Sequence, residues 1–140
     1  MKPEVVFDTN VIVSATGWRG PTHLLFVALA RRRYLVYSSA WILAESQKTL
    51  TRLKTDGKLG KHDPWPVFNW FCSTCRRVEL SPTGKRRSRD PKDDPILATA
   101  LSARCKLLVA FDKDLLSMGK PFGIEIIKPS QFLFRLGSLP

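Results

Sequence analysis

Apolar strand-like runs alternate with helical patterns along almost the whole chain, and this alternation constrains the fold more than any other feature. Residues 4–9 (EVVFDT), 34–39 (YLVYSS), 76–81 (RRVELS), 106–111 (KLLVAF) and 124–128 (IEIIK) read as strands. The helical patterns are 21–33, 39–59, 63–75, 95–105, 113–118 and 129–136. Leu24, Leu25, Ala28 and Leu29 share one face of the first. Ser39 caps the second, which turns Ile42, Leu43, Leu50 and Leu53 inward. Strands too apolar to keep a wet face, each followed by a helix, imply a parallel sheet covered on both sides. The expected class is α/β, a three-layer sandwich. A length of 140 residues with no repeat or linker suits one domain over 1–140.

Open α/β sheets bind ligands outside the carboxyl ends of their strands, and the acids gather there. Asp8 ends the first strand. Asp112 and Asp114 follow the fourth, and Asp90, Asp93 and Asp94 follow the third. Glu45 lies about two turns into the helix after the second strand, where it can lean over the same edge. These are seven of the chain's 12 acids, in a protein of net charge +11. Clustered carboxylates repel one another and lose solvation, so they need a cation to stay ionised. Oxygen ligands without histidine or thiolate suit a hard ion, Mg²⁺ or Mn²⁺.

Each acid also has a plainer reading. Asp90 and Asp94 precede prolines and fit helix caps. In that reading Asp94 caps the helix and Asp93 lies just outside it. Asp112 fits a cap of the KDLLSM helix, and Asp114 suits its first turn. Glu45 fits a solvated helix residue paired with Lys48 or Thr49. Asp8 has the weakest structural reading, since an acid leaving a buried strand has little to do there unless it caps the next element.

The remaining chemistry is sparse. Cys72, Cys75 and Cys105 are an odd set, and CSTC has the spacing of a zinc half-site with no second half. They read as buried or half-buried thiols. The chain has two histidines, His23 and His62, neither beside the acids, which argues against histidine-based ribonuclease chemistry. The positive balance attracts polyanions, nucleic acid first among them. Arg31–Arg33 and the run Lys85, Arg86, Arg87, Arg89 are candidate backbone-binding clusters, and the second leads directly into the acids. No apolar run reaches about 18 residues, so no membrane span is expected. Met-Lys-Pro-Glu runs directly into a strand without the pattern of a signal peptide, and the expected location is cytoplasmic.

Four blocks, VVFDTNVIVSA, SSAWILAESQKTL, RDPKDDPILATALSARCKLLVAFDKDLL and IEIIKPSQFL, together resemble the PIN-domain family over residues 4–134. They look closest to its VapC-like branch, toxin components of toxin–antitoxin pairs. The resemblance implies five parallel strands in a PIN-like order and a Mg²⁺- or Mn²⁺-dependent endoribonuclease, in which metal-activated water hydrolyses RNA phosphodiesters. It matches Asp8, Glu45 and Asp112 to the family's acids and favours Asp93 over Asp94 for the remaining one. Asp8, Asp93 and Asp112 are then the metal ligands, with Glu45 completing the shell or positioning water. Thr9 and Asn10 match residues that orient the first acid or touch substrate, and Arg86, Arg87 and Arg89 hold RNA. An antitoxin partner and a homodimer are implied as well. Two departures stand out: Ala110 replaces a hydroxyl residue, and Phe111 replaces a small or polar one. A catalytically idle RNA- or protein-binding module is therefore the alternative. A phospho-receiver domain fits less well, because Thr9–Asn10 stands where it needs a second acid.

Overall fold

The computed structural model describes residues 1–80 and 94–137. Its sheet contains β1 (Glu4–Phe7), β2 (Leu35–Ser38), β3 (Arg76–Arg77), β4 (Leu107–Val109) and β5 (Glu125–Ile127), in the order β3-β2-β1-β4-β5. All pairings are parallel, with Val5 opposite Val36 on one side and Leu107 on the other. The sheet is flanked by α1 (Thr9–Gly17), α2 (His23–Ala30), α3 (Ala40–Thr55), α4 (Trp65–Thr74), α5 (Asp94–Ala103), α6 (Lys113–Leu116) and α7 (Pro129–Gly137). This is the α/β architecture that the alternation requires.

Central β1 shows why. Val5, Val6 and Phe7 are buried on both faces of the sheet, and each such side chain stabilises the fold by about 1.5–3 kcal/mol. Phe7 joins an aromatic cluster with Tyr34, Phe71 and Phe132 at centroid separations of 5.9, 6.3 and 6.5 Å. Phe26 of α2 stacks on Phe71 of α4 at 5.0 Å, which extends the cluster across the helical layer.

The structure departs from the sequence reading in its boundaries and in one whole element. β1 stops at Phe7, and NVIVSATG continues as helix α1. Its β-branched residues are mediocre helix formers, but Val11, Ile12, Val13, Ala15 and Thr16 are all buried, and burial outweighs propensities of a few tenths of a kcal/mol per residue. β3 is only two residues long, at the sheet edge. The buried face of α2 is Leu25, Phe26 and Leu29, while Leu24 faces solvent. α3 starts behind Ser39 as expected, and buries Ile42, Leu43 and Leu50. It ends at Thr55 because Gly57, at φ +75°, turns the chain in the left-handed region.

The strand order reverses at β1. β2 and β3 extend to one side, β4 and β5 to the other. The crevice between the carboxyl ends of β1 and β4 is therefore the topological switch point, where such sheets bind ligands.

Candidate active site

Asp8 occupies that switch point. Its backbone N–H donates to Val109 O at 3.0 Å and continues the ladder between β1 and β4. Its side chain does two jobs. Oδ1 accepts from Val11 N at 2.8 Å and so caps α1, the structural role left open by the sequence. Oδ2 turns to β4, accepting from Phe111 N at 3.0 Å and Asp112 N at 3.4 Å. The residue is 2% exposed. Burial pushes its pKa from the ordinary 3.8 up to about 6, against the three amides, which favour the ionised form. The nearby charge of Asp112 pushes it further up. Desolvation thus wins over hydrogen bonds to a charged group that are each worth about 1.5–3 kcal/mol.

Asp112 is the second acid at this edge. It caps α6, with its side chain accepting from Asp114 N at 2.8 Å, and it is half-buried. Asp114 is exposed in the first turn of α6 and serves Asp112 through its backbone. Thr9 and Asn10 open α1, half-buried and exposed respectively. Among the described residues neither side chain bonds to Asp8, whose orientation comes from backbone amides instead. Glu45 sits half-buried on α3, about 8 Å along the helix from Ala40. It makes no hydrogen bond or ion pair with another described residue, so a pairing with Lys48 or Thr49 does not occur. α3 packs against α1 and α5, and its cap Ser39 is bonded to α5 through Thr99.

Two polar features at this edge go beyond what the residue pattern predicts. Ser39, the cap of α3, bonds side chain to side chain with Thr99 of α5 at 2.8 Å, and Thr99 donates to Pro95 O at 2.6 Å. This buried link ties the end of β2 to the first turn of α5. Ser38, the last residue of β2, carries a fully buried hydroxyl that lacks a partner among the described residues. The only sequence signal for either is the Ser-Ser pair at a strand end, which by itself indicates no more than a cap.

Asp90, Asp93, Arg86, Arg87 and Arg89 lie outside the described residues, as does the side chain of Asp94. α5 begins at Asp94, so this residue is the first of the helix rather than its cap. Among the described residues no group of three or more His, Cys, Asp or Glu is placed to hold a metal ion. What the described residues provide is a pair: two carboxylates in mutual repulsion, with an unpartnered hydroxyl at the neighbouring strand end. All are hard oxygen donors, which fits Mg²⁺ or Mn²⁺.

Elsewhere the chemistry is structural. His23 Nδ1–H donates to Ala15 O at 2.8 Å and His62 Nε2–H to Thr16 O at 3.0 Å, so both serve orphan carbonyls of α1. Cys75 and Cys105 are buried and Cys72 half-buried. Burial pushes the Cys75 and Cys105 thiols up to about 11 and 12. Arg31–Arg33 precede β2, at the sheet edge opposite the acids, and Arg33 donates to Leu136 O at 2.7 Å. That cluster does not surround the negative centre.

The family described as PIN domain matches residues 4–114. The chain belongs to the PIN-domain family. PIN domains are generally nucleases and typically use divalent metal ions. This PIN domain is similar in fold to the crystal structure of PAE2754 from Pyrobaculum aerophilum, with a TM-score of 0.65 and 18% identity. The alignment covers 98% of this chain and 91% of that one. No curated protein sequence matches. Within the PIN domain, Asp8 lies at the carboxyl end of the central strand, and no helix among the described residues is long and apolar enough to cross a membrane.

Proposed function

We propose that this PIN domain is a Mg²⁺- or Mn²⁺-dependent endoribonuclease. The observation that carries the reading is the pairing of Asp8 with Asp112 at the switch point, one carboxylate buried and the other beside it. Such a pair holds two negative charges together only at a cost, and a divalent cation offsets that cost. Asp8 and Asp112 would hold the ion, with Asp93 as the third ligand and Asp94 its rival. A bound Mg²⁺ or Mn²⁺ supplies a Lewis acid that activates water and offsets charge on the phosphate.

The chain's own residues do the rest. The amides of Val11, Phe111 and Asp112 fix the Asp8 carboxylate in one orientation, in which it would hold the ion. Glu45, uncommitted to any other described residue, is the group for orienting the attacking water. The net charge of +11 draws the RNA in, and Arg86, Arg87 and Arg89 hold its backbone.

The biological setting we propose is the VapC-like one, with this chain as the toxin of a toxin–antitoxin pair, cytoplasmic, homodimeric, and masked at rest by its antitoxin. The support is the four sequence blocks and their order. Expression should then arrest growth, and Asp8→Asn should relieve the arrest. Arrest that persists in the variant removes catalysis from the explanation. Binding of RNA without turnover under Mg²⁺ and Mn²⁺ favours the idle module instead, a reading kept in view by Ala110. This residue is fully buried, and its N–H is committed to Ile127 O at 2.9 Å.

A further inference from the structure

We propose that Phe111 is a stacking platform for an unpaired base beside the scissile phosphate. The inference rests on the nuclease reading and deepens it. Phe111 is 43% exposed, although the residues before it, Val109 and Ala110, are fully buried. Its main chain is pinned on the acid site, because its N–H donates to Asp8 Oδ2 at 3.0 Å. The next residue is Asp112, also bound to Asp8 and capping α6. An aromatic residue that is only partly covered is thus anchored by its backbone at the lip of a polar, acidic crevice.

The phenylalanines of the core are used differently. Phe7, Phe26, Phe71 and Phe132 are buried and pack ring against ring, whereas Phe111 makes no ring contact with a described residue. Phe122 is also exposed, but it lies in the turn leading into β5, at the opposite edge of the sheet. Trp18 and Phe134 are exposed as well, at the end of α1 and on α7, but Phe111 is the one whose backbone bonds to Asp8 and which directly precedes Asp112 in the chain. Lys113, exposed two positions on, adds a positive charge for a phosphate. A partly exposed ring, a fixed backbone and adjacent charge are what base stacking needs, and a paired base inside a duplex has no face to offer.

The test uses the full chain in EDTA, so that RNA is bound and not cut. A short single-stranded RNA carries 2-aminopurine at one position after another, and stacking is read as quenching of its fluorescence. Wild type should quench strongly at one position. Phe111→Ala should abolish that quenching and weaken binding about ten- to a hundredfold. Phe111→Trp should restore both. Binding to a fully paired duplex should be unchanged across the three proteins, and circular dichroism should confirm that each is folded. Equal affinity and quenching in wild type and Phe111→Ala overturn the proposal, as does a loss that Phe111→Trp fails to recover. Equal losses on duplex and single strand also overturn it, and would mark the ring as a fold or protein contact. Failure of wild type to cleave with Mg²⁺ or Mn²⁺ sinks the nuclease reading separately. The platform then stands or falls on the quenching alone.

Discussion

The backbone N–H of Phe111 donates to Oδ2 of Asp8 at 3.0 Å, joining two residues 103 positions apart. The bond locks the exit of β4 onto the acid that ends β1. The same carboxylate caps α1 through Val11. One buried side chain therefore sets the geometry of the site and also holds three elements in register. Stability and activity are coupled at Asp8, and both can be measured.

The pH dependence of stability takes its sign from this burial. The folded pKa of Asp8, about 6, lies above its ordinary 3.8. The unfolded chain therefore gives up this proton first, and the metal-free fold loses stability as pH rises from about 4 through 6. The loss is about 3 kcal/mol once Asp8 is fully ionised. Urea unfolding of the metal-free protein between pH 4 and 8 should show this fall, and Asp8→Asn should flatten it. Added Mg²⁺ or Mn²⁺ should raise the melting temperature more at pH 8 than at pH 5, because it favours the ionised carboxylate.

Glu45 separates the two roles that Asp8 combines. It has no partner among the described residues, so Glu45→Gln should change stability by no more than about 0.5 kcal/mol. Cleavage should nevertheless fall by about 10²- to 10⁴-fold if Glu45 positions or deprotonates water. Unfolding curves and single-turnover cleavage of the same preparation give both numbers. Unchanged cleavage would return Glu45 to the solvated face of α3.

The Ser39–Thr99 link is a structural prediction. Thr99→Val leaves the buried Ser39 hydroxyl short of a partner, and Ser39→Ala removes the cap of α3 as well. Each should cost about 1–2 kcal/mol. The double variant should cost less than the sum, as a double-mutant cycle on urea midpoints will report.

The sheet was legible because its strands carry their own signature: Val5, Val6 and Phe7 leave no polar face, so both sides must be covered. The helix α1 was not, since Val11, Ile12 and Val13 are β-branched and only their burial makes a helix of them. The boundaries blurred for the same reason at β3, where the edge strand needs only Arg76 and Arg77 to pair with β2. At the site, Asp8 and Asp112 were visible from their place at strand ends. The amides that hold Asp8 were not, because backbone donors carry no residue-type signal. Thr9 and Asn10 drew attention in their place. Nor was the Ser39–Thr99 pairing readable, since it joins residues 60 positions apart through side chains common at helix starts.

The central claim is that Asp8 and Asp112 hold the divalent cation for RNA cleavage, and Asp8→Asn tests it most directly. Wild type should cut RNA with Mg²⁺ or Mn²⁺ and stop on addition of EDTA. The variant should keep its circular dichroism spectrum and lose at least about a hundredfold in rate, since several kcal/mol of transition-state stabilisation go with the metal. Equal, EDTA-resistant cleavage by both proteins would contradict the account.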